Sequence, residues 1–468
     1  MNKKKPVLIA ILSACQASFV IAGGILTNTN QSAHFIRMVA RDASLQIDAA
    51  YTNPAGLVKL EDGFHFSFTN QSAFQTRTIT STFESFTGFG GDATKEFKGT
   101  ASAPVIPSLQ AAYKKGKWAL SGNMAITGGG GKATFNDGLP SFESQLAVLP
   151  TVISMAVPTT QYSVDAYMRG LSFIYGAQMG GSYAINDMFS AYAGFRLNIV
   201  NNGYEGYLKN VKVNPQHPQV NPKGGMMLAT EFFTAVGNPE FAAMVADREI
   251  DNKQTGWGVA PILGLNFNYK ALNIGMKYEF KTSLNVESKT IDGKDGGLAQ
   301  FKDGVNTPHD IPALFTVGAS YQITPKLLAS AGYHHFFDSD AKMANDKQKN
   351  AGSTNEYLLG VEYGINRLFL VSAGAQITRY GVNDAYQQDL SFVCSSYSIG
   401  LGGAVNVAKN VKINIGYFWT NYSDYTKDNI ADYGRINALT GGTILAEGGK
   451  DVFSRTNKVF AAGVDFSF

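Results

Sequence analysis

From Phe64 onward the chain keeps returning to a single pattern, an apolar residue followed by a small or polar one. Phe64, Phe66 and Phe68 share one face of an extended segment while His65, Ser67 and Thr69 share the other, as the two-residue period of a strand requires. Trp118, Leu120, Met124 and Ile126 oppose Ser121, Asn123 and Thr127; Phe189, Ala191, Phe195 and Leu197 oppose Ser190, Gly194, Arg196 and Asn198. Leu272, Ile274, Met276, Tyr278 and Phe280 oppose Asn273, Gly275, Lys277, Glu279 and Lys281. The last strand repeats the scheme with Phe460, Val464, Phe466 and Phe468 against Asn457, Gly463, Asp465 and Ser467.

A soluble sandwich also alternates, so the connections decide. Short links at 114–117, 185–187, 268–270, 323–326, 364–366 and 408–410 read as tight hairpins. Long links fall between them, at about 75–104, 136–167, 205–254, 288–308, 338–353, 381–391 and 423–453. Short and long in strict alternation is the signature of an outer-membrane barrel, and the links delimit about fourteen strands, an even number. In hydrocarbon every backbone group must be paired internally, so the sheet has to close. The fold class expected is therefore all-β: an antiparallel transmembrane barrel over residues 61–468, apolar face to lipid, polar face to the lumen. Tyr113, Trp118, Tyr183, Trp257, Tyr269, Tyr363, Tyr417 and Trp419 fall near strand ends, where aromatic girdles belong.

Composition agrees. Charged residues make up 16% of the chain, against about 25% in soluble domains. With 50 glycines and 12% aromatics it fits strands with two unlike faces, and a mean hydropathy of -0.08 is low for a helical membrane protein. A net charge of +3 gives nucleic-acid binding no support. Residues 1–22 read as a secretory signal peptide: Lys3-Lys4-Lys5, an apolar run from Val7 to Leu12, and small residues at a cleavage site after Ala22. The alternative is a lipobox at Leu12-Ser13-Ala14-Cys15, with Cys15 lipidated. Ordinary cleavage leaves Cys394 as the lone cysteine, which excludes an internal disulfide.

Residues 23–60 lack the alternation and suggest a small, partly helical segment that ends in Asn53-Pro54-Ala55-Gly56. Early Gln31-Ser32-Ala33, this Asn-Pro-Ala just before the first strand, Thr255-Gly256-Trp257-Gly258 with a hairpin to Gly275-Met276-Lys277-Tyr278, and Ile311-Pro312-Ala313 opening a strand make a set. With about fourteen strands, the set resembles the FadL/TodX family of outer-membrane transporters for long-chain fatty acids and other hydrophobic compounds. The resemblance implies that 23–60 is a hatch plugging the barrel, with Asn53, Pro54, Ala55 and Gly56 as its gate. It also implies a third strand kinked inward to open the wall sideways, and hydrophobic small molecules, fatty acids or aromatic hydrocarbons, as ligands. Phe468 resembles the signal read by the barrel-assembly machinery. Outer-membrane lipid is the other expected partner, and a monomer is expected.

The residues add their own detail. Gly128, Gly129, Gly130 and Gly131 interrupt strand three before alternation resumes at Lys132, which favours a bulge or, alternatively, a flexible strand end. In the 205–254 link, Met226, Met227, Leu228, Phe232, Phe233, Val236 and Phe241 are too apolar for a loop in water, and 230–236 and 239–246 suggest short helices. They form an external capture groove or pack over the barrel mouth. Arg196, Lys277 and Lys281 face the lumen by parity and are candidates for a carboxylate head group; internal salt bridges are the competing role. His334 and His335 point to opposite faces and cannot share a metal. No metal, cofactor or catalytic constellation is proposed. The alternative function is a polar-solute porin or a structural barrel.

Overall fold

The computed structural model describes residues 25–428 and 449–468. The leader with Cys15, and most of the 423–453 link, lie outside them. Among the described residues the sheet has eighteen segments, of which fourteen build the closed wall. These are β1 (Gly63–Thr82), β2 (Thr94–Lys115), β3 (Trp118–Phe135), β4 (Tyr162–Ala184), β5 (Phe189–Val213), β6 (Arg248–Tyr269) and β7 (Leu272–Glu279). They continue as β8 (Leu314–Thr324), β9 (Leu327–Phe336), β10 (Thr354–Gly364), β11 (Phe369–Tyr380), β12 (Ser396–Ala408), β13 (Val411–Tyr422) and β14 (Lys450–Ser467). Each pairs antiparallel with its neighbour, and β1 closes on β14 from His65 opposite Ser467 to Thr82 opposite Lys450.

Closure sorts the side chains as the period-two pattern requires. Phe66, Leu120, Met179, Leu263, Leu359 and Ile415 stand exposed on the outside, whereas Ser67, Asn123, Gln178, Asn266, Glu356 and Asn414 are buried inside. Aromatics bracket this apolar band. Tyr113, Trp118, Tyr183, Tyr269 and Tyr363 ring the short-turn end, and Trp257, Tyr417 and Trp419 stand at the other edge. Along β1 the band runs from Phe64 to Phe74, about ten residue steps or roughly 33 Å of strand, which at barrel tilt covers a hydrocarbon layer.

Several long links are shorter than expected, because the ladder outlasts the apolar band. β1 continues to Thr82 and β2 begins at Thr94; β4 begins at Tyr162; β5 reaches Val213 and β6 begins at Arg248. There the outward positions are Thr76, Thr78 and Thr80 rather than apolar residues, so polarity imitates a loop while the backbone stays paired. The wall is consequently uneven. β1, β2, β4, β5 and β6 have 20 to 25 residues, against 10 to 13 in β8 to β13. About ten suffice to span.

Residues 25–60 lie within the barrel as a hatch. It carries α1 (Ala33–Arg37), α2 (Ala49–Thr52) and a 3-10 turn, Pro54–Lys59. Ser32 caps α1, its hydroxyl accepting from Phe35 N at 3.3 Å, and Pro54 opens the turn with a ring that needs no amide partner. At the long-loop end, α3 (Pro140–Ala147) and α4 (Leu149–Ser154) follow β3, and α5 (Ala229–Ala235) and α6 (Pro239–Met244) join β5 to β6.

Candidate functional site: a parted wall and the hatch behind it

The ladder of the closed sheet fails in one long stretch, between β2 and β3. Pairing runs from Lys115 opposite Trp118 to Leu109 opposite Met124, stops, and resumes only at Ala101 opposite Ala133. On the β3 side the glycines carry the distortion. Between Ile126 and Gly131 β3 advances five residues while its partner β4 advances three, from Tyr175 to Ser172, so two extra residues are bulged out. Gly129 at φ 81° and Gly131 at φ 77° have the left-handed backbone that a side chain would resist. The β2 side was not anticipated. It reads Pro104-Val105-Ile106-Pro107, and two prolines remove two ladder donors, which confines such a segment to an edge or bulge. That pair of prolines inside a strand was the missed signal.

An unpaired stretch of wall leaves carbonyls in need of donors, and the hatch supplies them. Asn28 N donates to Thr127 O at 2.7 Å, Gln31 Nε2 to Ile126 O at 3.2 Å, and Thr27 forms an isolated bridge with Gly128. Gln110 on β2 reaches Gln31 O at 3.1 Å from the other lip. Behind this seam, Ala33, Phe35 and Val39 pack on Ala73 and Ile106, with Ile126 against them. Above it, Ile25 and Leu26 are themselves buried in an apolar cluster with Ile174, Val200, Leu284, Val286, Ile311 and Met343, among others. The first described residues thus pack into the apolar cluster, and those next to them bond to the wall.

The rest of the hatch is held differently, by charge. His34 Nε2 lies 3.0 Å from Asp465 Oδ2, and Arg37 pairs with Glu362 and donates to Asn414 Oδ1 and Ser372 Oγ at 3.1 Å each. Asp42 Oδ1 sits 2.8 Å from His334 Nε2, whose Nδ1 is 2.8 Å from Glu356. Asn53 Nδ2 donates to Ser44 O at 3.0 Å and Asn266 Oδ1 at 2.7 Å, while the Ser182 and Ser190 hydroxyls donate to Pro54 O at 2.7 Å and Ala55 O at 2.6 Å. Gly56 packs so closely that a side chain would meet Asn53 and Leu45.

Asn53-Pro54-Ala55-Gly56 does not lie near the glycine run: its contact Ser182 is eight to ten residues along β4 from Ile174 and Ser172, roughly 30 Å at strand rise. It pins the hatch base at the short-turn end. Arg196 and Lys277 do face the lumen, but both are engaged by Glu279, at 3.1 Å from Arg196 Nη2 and 2.6 Å from Lys277 Nζ, and Lys277 also donates to Tyr51 O at 2.7 Å. Lys281 falls past the end of β7, where parity no longer applies, and pairs with Asp310 at 3.0 Å instead of facing the lumen.

At the long-loop end, α5 and α6 occur where the apolar runs suggested them. Phe232 and Phe233 are buried, with rings 5.4 Å apart, and Phe233 lies 5.2 Å from Phe241. Met227 and Phe241 pack against the same core, Leu228 is half-buried, and Met226 and Val236 stand exposed. These residues mostly pack the mouth. Two small apolar crevices, about 40 and 20 Å³, open beside them between α3 and the tops of β5 and β6, the first lined by Phe142, Leu146, Leu208, Val211, Val245 and Arg248, the second also by Met168, Ile250 and Leu298.

Three solved structures share this fold. A Pseudomonas aeruginosa FadL homologue superposes with a TM-score of 0.63 at 12% identity, over 97% of this chain and 100% of that one. The P. putida toluene transporter TodX gives 0.54 at 16%, over 90% and 94%. The Ralstonia pickettii toluene transporter TbuX gives 0.51 at 15%, over 90% and 94%. The chain has the FadL/TodX fold. No family model and no curated protein matches it by sequence.

Within that fold the mouth contains a titratable latch. Asp389, in the link between β11 and β12, accepts a hydrogen bond from Ser141 N at the start of α3 at 2.8 Å. Burial, with Asp451 nearby, pushes its carboxyl up to about 6. A raised carboxyl stabilises the docked state fully below its unfolded value of about 4 and loses that contribution as pH rises through about 6. Amide exchange in α3, corrected for intrinsic rates, is therefore expected to be slower at pH 4.5 than at pH 7. Asp389→Asn should flatten the difference; an unchanged pH dependence in that variant would place the latch elsewhere.

Proposed function

We propose that this protein is a passive bacterial outer-membrane transporter for hydrophobic compounds, long-chain fatty acids or aromatic hydrocarbons. The ligand enters at the mouth, displaces Ile25 and Leu26 from the apolar cluster behind the wall, and leaves sideways between β2 and β3 into the membrane. The observation that carries the reading is the double role of residues 25–31. Ile25 and Leu26 pack into the apolar cluster behind the wall, and Thr27, Asn28 and Gln31 close the seam, so a ligand that takes the place of Ile25 and Leu26 unseats the seal. The moving part is thus this segment and not Asn53-Pro54-Ala55, which the Asn266 amide and the Ser182 and Ser190 hydroxyls hold to the wall. Lateral exit suits an acyl chain, because each CH₂ gains about 0.8 kcal/mol in an apolar phase.

The test pairs uptake with conductance. Cells carrying the protein should take up labelled oleate or toluene faster than cells without it, and the reconstituted barrel should show little steady ion conductance. A large steady conductance without hydrophobic uptake would make it a polar-solute porin.

A further inference from the structure

The short-turn end of the barrel is cationic around its whole rim. Among the described residues, Lys115 and Lys117 flank the turn between β2 and β3, Lys270 lies between β6 and β7, Lys326 between β8 and β9, Arg367 between β10 and β11, and Lys409 between β12 and β13, all of them exposed. The remaining short turn, between β4 and β5, is met by Lys59 from the hatch, whose Nζ donates to the Asp187 carbonyl at 2.6 Å. The exposed carboxylates described at this end are Glu61, Asp62 and Asp187, and Asp62 is held by Lys114 at 2.5 Å. Among the described residues, none of the turn cations has a carboxylate within ion-pair distance. At the other end charges come in pairs, Arg169 with Glu205 and Glu249 with both Lys209 and Lys294.

The position of these cations selects their partner. They follow the circumference and stand at the level of the aromatic girdle: Lys117 adjoins Trp118, and Lys270 Nζ lies 5.2 Å from the centre of the Tyr269 ring. A docked protein would need the charge gathered on one side, whereas a ring of lipid meets it from every side. A lysine at that depth lays its stem along the apolar wall and puts its ammonium among the head groups. We propose that this rim binds anionic phospholipid of the periplasmic leaflet, with phosphate groups on the turn cations and acyl chains against the apolar band. The charge is densest at the β2–β3 turn, where Lys114, Lys115 and Lys117 crowd together. Lys115 is six residues below Leu109, where the ladder parts, roughly 20 Å at strand rise, so the acyl chains of a lipid held there reach the foot of the gap. The inference concerns the lipid around the barrel and stands whatever ligand the barrel carries.

The protein has three tryptophans, and of these Trp118 alone stands at this rim. Full-length protein with Trp257→Phe and Trp419→Phe, reconstituted in phosphatidylcholine vesicles, therefore reports the lipid beside Trp118. The readout is its quenching by a minor share of brominated phosphatidylglycerol, compared with the same share of brominated phosphatidylcholine. At low salt the phosphatidylglycerol is expected to be enriched around Trp118 about fivefold, the preference one lysine provides at an anionic surface, and the enrichment should fade at about 1 M salt. Lys115→Gln with Lys117→Gln should abolish it, and Lys115→Arg with Lys117→Arg should keep it. Equal quenching by the two lipids in the lysine-bearing protein, or an undiminished preference in the glutamine variant, would overturn the proposal. Equal quenching together with binding of a polyglutamate peptide would overturn it in favour of an acidic protein partner.

Discussion

Gly128→Ala is expected to drive residues 26–28 off the wall. A methyl group there would overlap the Leu26 carbonyl oxygen and press on the Ile174 side chain, and neither can yield without shifting backbone or packed core. The bond from Asn28 N to Thr127 O, 2.7 Å in the sealed state, is the one that breaks. Asn28 amide exchange should accelerate by at least about tenfold, the loss of roughly 1.4 kcal/mol of local protection. Uptake of a hydrophobic ligand should rise several-fold, because the seal no longer has to be displaced. Gly122→Ala on the same strand is the control: a methyl there meets Gln178 O at 3.4 Å, an ordinary contact, and should change neither quantity. A Gly128→Ala protein with wild-type exchange at Asn28 would mean that the segment is not the seal.

Arg37→Ala is expected to loosen the hatch base while leaving the barrel intact. The side chain is fully buried and meets Glu362, Asn414 and Ser372 on three different strands. Removing it leaves buried Glu362 with only Arg41 Nη1 at 3.7 Å and Gln46 Nε2 at 3.4 Å, so the cost falls below the roughly 3–5 kcal/mol of a fully uncompensated buried charge. The β-sheet far-ultraviolet signal should persist, but planar-bilayer recordings should change from near-silent to discrete ion-conducting openings. Replacing both partners, as Arg37→Met with Glu362→Gln, removes the stranded charge and should restore most of the silence. An Arg37→Ala channel as silent as the wild type would show that the hatch base is held by packing alone.

The barrel was legible because the physical constraint that shapes it, one face to lipid and one to the lumen, is written at every second residue. The six short hairpins and the parity of Arg196, Lys277 and Glu279 follow from that alone. Strand length was not legible above the apolar band, where Thr76, Thr78 and Thr80 keep the ladder but drop the hydrophobic signal. The glycine run announced trouble in β3, yet a parted wall needs two lips, and the Pro104 and Pro107 lip shows only when a strand is already assumed around it. The Lys277–Glu279 pair lay within reach of parity, two residues apart on one strand, whereas Arg196 reaches Glu279 from β5 across the intervening β6. The role of residues 25–31 was beyond reach, because backbone donors carry no residue code: Asn28 seals with its main chain, and any residue but proline could do so.

That main-chain seal also sets how such a passage would behave in time. While the hatch segment is in place, the Ile126 and Thr127 carbonyls are satisfied; once it leaves, they face hydrocarbon, where an unmet acceptor costs several kcal/mol. An acyl chain can fill the space but brings no N–H group to replace the lost donors. Each opening would therefore be uphill by an amount the wall itself fixes, and a departing ligand would leave behind a state that relaxes back unaided. On that mechanism the protein would need no energy source to close, only a tether short enough that the donors are never far away, a part the anchored helix α1 could fill.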